Sequence, residues 1–75
     1  MRFNDFVDGL LILRKYYTDP KDYHVAATHD ELAADATDTP MSPDDVQTMK
    51  SLDWFQPDQE DGADYDPDIG WHAFT

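Results

Sequence analysis

Ten aromatic residues are spread along this chain of 75 residues, and they constrain its fold more than any other feature. A chain with high net charge and few large apolar groups cannot offset its conformational entropy and stays disordered. Here the aromatic side chains supply apolar surface along the whole length, so we expect a folded domain. They are Phe3, Phe6, Tyr16, Tyr17, Tyr23, Trp54, Phe55, Tyr65, Trp71 and Phe74.

The chain length allows one small domain over residues 1–75. No cysteine is present, so neither a disulfide nor a thiolate metal site can stabilise the fold. No apolar run approaches the roughly 18–20 residues needed to cross a bilayer, and we expect a soluble protein.

Two helices are predicted from apolar periodicity and from capping residues. The first segment carries an apolar stripe at helical spacing and ends at Asp19-Pro20. A second helix is predicted from about 43 to 52, because Ser42 can cap it and Pro43 suits its first position. The stripe of the first helix consists of Phe3, Phe6, Val7, Leu10, Leu13 and Tyr17.

The strands are less clearly marked. Residues 23–27 and 71–75 are predicted to be strands from their composition. Residues 28–36 allow two interpretations: a helix, which local propensity favours, or a turn at His29-Asp30 followed by a strand. Residues 56–70, with two prolines and two glycines, are predicted to be a mobile acidic loop.

Several short motifs resemble a group of uncharacterised small proteins of tailed bacteriophages and prophages. The resemblance rests on Tyr23-His24, His29-Asp30-Glu31-Leu32, Thr37-Asp38-Thr39-Pro40-Met41-Ser42, Leu52-Asp53-Trp54-Phe55 and Trp71-x-x-Phe74. It implies that residues 31–36 form a strand, and that the protein acts in the cytoplasm of a host cell. Position 53 carries Asp where the resemblance leads us to expect Gly. It implies no particular activity.

These elements predict an α+β fold in the order helix–strand–strand–helix–strand, with two helices covering one face of a small antiparallel three-stranded sheet. The predicted core consists of Phe6, Leu10, Leu13, Val25, Leu32, Val46, Met49, Leu52, Trp54 and Phe74.

The net negative charge of the chain is confined to residues 30–75. Residues 1–29 hold four acids and four bases, whereas residues 30–75 hold thirteen acids and one base, Lys50. Such a surface repels nucleic acid and anionic membranes and attracts basic proteins or cations. The predicted partner-binding residues are Asp44, Asp45, Asp53, Trp54, Asp58, Glu60, Asp61, Asp64, Tyr65, Asp66, Asp68 and Trp71.

Metal binding and catalysis find little support in the residues. The run Asp64-x-Asp66-x-Asp68 resembles the start of a calcium loop, but an EF-hand would need Gly and Glu where Ile69 and Thr75 stand. The three histidines, His24, His29 and His72, do not match a zinc motif, although His24 and His72 could face each other across a sheet. We therefore expect neither enzymatic activity nor a cofactor.

The sequence leads to two main hypotheses of function, beside a third in which the chain is a cation-binding module or a metalloenzyme. In the first, the protein is a phage-encoded, non-enzymatic interaction protein that docks on a basic host protein as a nucleic-acid mimic or plug. A nuclease, a CRISPR or other defence effector, or a transcription factor would be a suitable partner. In the second, it is a small phage structural or regulatory oligomer, such as a homodimer joined through an edge strand and Trp71, and its acidity serves only solubility.

Overall fold

The structure is a computed structural model that describes residues 1–19, 23–57, 59 and 64–74. In this part of the chain two helices accompany an antiparallel sheet of four strands, so the predicted α+β class is confirmed. No described helix is long and apolar enough to cross a membrane. In chain order the elements are α1 (Phe3–Tyr16), β1 (Val25–Ala27), β2 (Glu31–Ala34), α2 (Pro43–Ser51), β3 (Trp54–Phe55) and β4 (His72–Phe74).

The sheet has the strand order β1-β2-β4-β3, and the prediction of three strands is wrong. The last strand, β4, lies between β2 and β3, so that Ala73 is paired with Leu32 on one side and with Trp54 on the other. The two residues of β3 form an edge strand directly after α2. A strand this short leaves almost no periodic signal in a sequence.

The hairpin of β1 and β2 resolves the ambiguous segment 28–36. Val25 is paired with Ala34 and Ala27 with Leu32, and the N–H of Thr28 donates to the carbonyl of Glu31 at 2.8 Å. The helix that local propensity favours does not form, because β2 pairs with a strand on each side. Tertiary pairing has overridden intrinsic preference.

Helix α2 begins where its capping residues predict. The hydroxyl of Ser42 accepts a hydrogen bond from the N–H of Asp45 at 3.2 Å, and Pro43 is the first helical residue. The helix ends at Ser51, and Asp53 follows with a φ of 67°. This left-handed conformation is the one that glycine adopts freely and that aspartate tolerates.

The core lies on one face of the sheet, where Ala34, Ala73 and Trp54 are buried. Leu13 of α1 and Val46 and Met49 of α2 complete it, and all four predicted core residues among these six are confirmed. Met41 and Trp71 are also buried, whereas the predicted residues Phe6, Leu10, Leu32 and Leu52 pack at the margin of the core.

For two residues, the prediction that they belong to the core is wrong. Val25 is 55% exposed, because it lies on β1 at the edge of the sheet. Phe74 is 59% exposed, because it alternates with the buried Ala73 and therefore points to the opposite face of the sheet.

Helix α1 approaches the sheet closely at Gly9. A Cβ atom at this position would lie 2.8 Å from Cδ1 of Trp54 and nearer still to two other ring atoms. The ring of Phe6 stacks against Trp54 with centroids 5.8 Å apart, and the indole N–H of Trp54 donates to the carbonyl of Asp5 at 3.3 Å. Glycine is therefore required here by the contact between helix and indole.

Candidate functional site

A cleft of about 540 Å³ lies between α2 and the segment at residues 64–65. It is lined by the buried residues Met41 and Val46 and by the exposed residues Asp44, Asp64 and Lys50. Its volume is within the range of about 300–1,000 Å³ that is common for ligand pockets. The complete lining is Met41, Pro43, Asp44, Val46, Gln47, Lys50, Asp64 and Tyr65.

Tyr65 is held in the wall of this cleft by the core. Its hydroxyl oxygen accepts a hydrogen bond from the N–H of Met41 at 3.1 Å, and its ring stacks on Trp71 with centroids 6.1 Å apart. The structure thus brings together three of the predicted partner-binding residues, Asp44, Asp64 and Tyr65, from two separate segments.

Asp45 lies next to Asp44 in sequence, but its side chain contacts α1 of the same chain. Its Oδ2 atom accepts a hydrogen bond from Nζ of Lys15 at 2.8 Å and another from the hydroxyl of Tyr16. The bond from Lys15, followed by the one from Tyr16, lowers the pKa of the Asp45 carboxyl. This carboxylate therefore ties α2 to the end of α1.

Asp53 lies at the opposite end of α2 from Asp44. A helix of nine residues is about 13 Å long, so the two carboxylates cannot contact the same side chain of a partner. The structure does not join Asp53 to the cleft.

Asp66 and Asp68 form a local turn. Oδ1 of Asp66 accepts a hydrogen bond from the N–H of Asp68 at 2.9 Å, which is the geometry of an Asx turn. This turn accounts for the alternating acids that resemble a calcium loop. Among the described residues, no group of three or more His, Asp or Glu side chains is placed to hold a metal ion.

Gln56 anchors the described part of the acidic loop, and sequence reasoning missed it. Its side chain is 9% exposed, its Nε2 donates to the carbonyls of Asp66 at 2.6 Å and Ile69 at 2.9 Å, and its Oε1 accepts from the N–H of Asp66 at 3.0 Å. A lone amide that follows two aromatic residues is a weak signal for such a role. Asp58, Glu60 and Asp61 lie outside the described residues, as do residues 62 and 63 of the segment predicted to be mobile.

The two tryptophans do not belong to a docking surface. Trp54 and Trp71 are each 1% exposed, so their side chains pack inside the molecule. In a chain this small, large apolar side chains are needed for the core, and few remain for an interface. Burial also removes Trp71 from the dimer contact that the second hypothesis assigned to it.

The histidines at the sheet lie apart from each other. Nδ1 of His72 lies 2.6 Å from Oε1 of Glu31, and the Nδ1 of His24 lies 3.7 Å from Oδ2 of Asp35. His24 comes directly before β1, and β2 separates β1 from β4, so His24 and His72 do not face each other as a metal pair.

Comparisons with protein-family models, with curated proteins and with solved structures found no match. The site is therefore interpreted from its own chemistry. Two carboxylates and an aromatic ring beside an apolar floor suit the cationic head and aliphatic stem of a lysine or arginine side chain.

Proposed function

We propose that this chain is a non-enzymatic interaction protein, encoded by a phage, whose acidic C-terminal half docks on a basic protein in the cytoplasm of the host. The observation that carries the proposal is the imbalance of thirteen acids against one base in residues 30–75. Such a charge raises the encounter rate with a basic surface and disfavours nucleic acid and anionic membranes.

The cleft supplies a place where this charge acts at close range. Asp44 and Asp64 come from different segments and line the same cleft, with one ammonium, that of Lys50, beside them. The local balance therefore remains negative. A lysine or arginine of the partner would place its stem on Met41 and Val46 and its charge between the carboxylates.

The arrangement of the other acids favours a plug over a continuous nucleic-acid mimic. A mimic would need a row of free, regularly spaced carboxylates, because duplex DNA presents about one charge per 1.7 Å. Here Asp45 is paired with Lys15, Asp66 closes a turn, and Asp53 lies at the far end of α2. We therefore propose that the partner is recognised through individual basic side chains.

Affinity capture from host lysate tests the proposal. The tagged protein is immobilised and the lysate is applied at low and at high salt, after which the dissociation constant of the captured protein is measured over the same range. We expect a basic protein whose affinity falls as salt rises, because the Debye length shrinks from about 30 Å at 0.01 M to about 3 Å at 1 M salt.

Two double variants with the same change in net charge separate the cleft from the charge of the whole chain. Asp44→Asn with Asp64→Asn removes both carboxylates of the cleft, and Asp8→Asn with Asp30→Asn removes two exposed carboxylates elsewhere. We expect the first pair to weaken capture and the second to leave it almost unchanged. An affinity that does not depend on salt, or an equal loss in both variants, would contradict the proposal.

A further inference from the structure

The face of the sheet that points away from the core carries a cluster of aromatic and ionisable side chains. Strand pairing places Ala33 opposite His72 and His72 opposite Phe55, while Glu31 is opposite Phe74. Because side chains alternate along each strand, these residues all lie on the face opposite Ala73 and Trp54. We call Glu31, Phe55, His72 and Phe74 the outer-face cluster.

The exposed member of this cluster is Phe74, while Phe55 and His72 are half-buried. The rings of Phe55 and Phe74 stack with centroids 4.9 Å apart and an interplanar angle of 25°, and the ring of His72 lies 5.8 Å from that of Phe55. Phe74 is 59% exposed although it stands in a strand at the centre of the sheet. An exposed aromatic side chain held by a stacked neighbour is a rigid platform for another planar group.

A carboxylate stands beside the platform in a fixed position. Glu31 is directly opposite Phe74, which places the two Cβ atoms about 4.5–5.5 Å apart. Oε1 of Glu31 lies 2.6 Å from Nδ1 of His72, and the contact limits the rotation of the carboxylate. A carboxylate has about four acceptor positions, so Glu31 can still accept a hydrogen bond from outside.

We propose that the outer-face cluster binds an arginine side chain of the basic partner, with the guanidinium stacked on Phe74 and donating to Glu31. The inference rests on the proposed function and adds a second contact, on a different face from the cleft. Arginine fits better than lysine because its planar head stacks on a ring while its N–H groups reach a carboxylate in the same plane.

Charge also decides against a second copy of this chain as the occupant. Two copies would bring together two chains of net charge −12 and two Glu31 carboxylates across the same contact. A basic partner instead supplies the cation that this aromatic and acidic pair complements. Self-association through the outer face is an outcome that the experiment below would reveal.

A titration followed by NMR tests the proposal on the whole chain. The probe is an acetylated and amidated tetrapeptide with one arginine among alanines, and a matched peptide carries lysine in place of arginine. We expect shifts at Phe55, His72 and Phe74 with the arginine peptide, and weaker binding of the lysine peptide. Phe74→Ala and Glu31→Gln should each raise the dissociation constant about threefold to tenfold, the range expected for losing one such contact.

Each variant has a control of the same chemistry. Phe3→Ala removes an exposed phenylalanine from α1, and Asp30→Asn removes an exposed carboxylate from the neighbouring turn. Both should bind the arginine peptide as the original chain does. If the controls lose as much affinity as Phe74→Ala and Glu31→Gln, the proposal is wrong.

The remaining outcomes separate this inference from the proposed function. Shifts confined to Asp44, Asp64 and Tyr65 would overturn the outer-face proposal and leave the cleft as the docking site. Shifts at the outer face that depend on protein concentration without peptide would identify a second copy as the occupant and also overturn it. An absence of shifts anywhere would overturn the outer-face proposal, whereas the proposed function stands or falls on the capture experiment.

Discussion

At the scale of single residues, Trp54 and Trp71 are equally buried and differ in one hydrogen bond. The indole N–H of Trp54 donates to the carbonyl of Asp5, whereas that of Trp71 is, among the described side chains, a buried donor without a partner. Both changes to phenylalanine remove a similar volume. We expect Trp54→Phe to lower the free energy of unfolding by about 1 kcal/mol more than Trp71→Phe, the usual net value of one hydrogen bond.

Urea denaturation of the two variants measures this difference directly. Each variant is the control for the other, because side-chain type, burial and lost volume are matched. If Trp71→Phe proves at least as destabilising as Trp54→Phe, the hydrogen bond to Asp5 does not stabilise the fold as described.

We predict that the folded chain loses stability in alkali, where Tyr17 ionises. Burial, followed by the nearby Asp35 carboxylate, raises the pKa of its phenol from 10.0 to about 12. The folded state therefore holds this proton more tightly than the unfolded state. The stabilisation is fully present below pH 10.0 and is lost as pH rises towards about 12.

The measurement is the free energy of unfolding as a function of pH for the original chain and for Tyr17→Phe. We expect the decline in alkali to be shallower in the variant, which has no proton to lose at this position. It will not vanish, because burial also raises the pKa of Tyr23, whose ring stacks on Tyr17 at 4.1 Å. Identical slopes for the two proteins would contradict the assignment.

At the scale of elements, the helices could be predicted from the sequence and the sheet only in part. Ser42 and Pro43 fix the start of α2 through local chemistry, and a local signal can be read locally. The strand β2 depends on partners on both sides, and β3 is two residues long, so neither has a decisive signal of its own.

Substitutions test the backbone conformation of the residue that follows the C-cap of α2. Asp53 has a φ of 67°, so Asp53→Gly should raise the free energy of unfolding by a few tenths of a kcal/mol up to about 1 kcal/mol. Gln47→Gly, inside the same helix, should lower it by roughly 1 kcal/mol. Thermal or urea denaturation compares the two, and a loss of stability in Asp53→Gly would show that the aspartate side chain is worth more than the backbone strain.

Because α1 packs on β3, we expect a substitution in α1 to change stability in the direction opposite to that given by helix propensity. In an exposed helix, Gly→Ala stabilises by about 1 kcal/mol. At Gly9 the added methyl would collide with the buried ring of Trp54, and we expect a net loss of roughly 1–3 kcal/mol. The neighbouring change Asp8→Ala, at an exposed position, should be neutral or slightly stabilising in the same denaturation assay. A stabilised Gly9→Ala variant would mean that the helix does not sit this close to the indole.

At the scale of the whole molecule, the charge of the chain could be predicted from the sequence and its arrangement could not. Asp44, Asp64 and Tyr65, from two separate segments, line one cleft. Asp45 was predicted to belong to it but pairs with Lys15, because α1 brings a base within reach that is 30 residues away in sequence. The tertiary fold therefore decides which acidic side chains pair with a base of the same chain and which line the cleft.

Both proposed contacts depend on long-range attraction between this acidic chain and a basic partner. Electrostatic steering acts mainly on the association rate, which can rise one hundredfold or more at low ionic strength compared with about 10⁵–10⁶ M⁻¹s⁻¹ for neutral pairs. The association rate therefore reports the central claim more directly than affinity does.

The decisive measurement is the association rate constant with the captured partner, determined by stopped flow from low to high ionic strength for the original chain and the two double variants. We predict a steep fall with ionic strength, a clear loss at low ionic strength for Asp44→Asn with Asp64→Asn, and a smaller loss for Asp8→Asn with Asp30→Asn. A rate that does not change with ionic strength, or equal losses in the two variants, would contradict an acidic surface centred on the cleft.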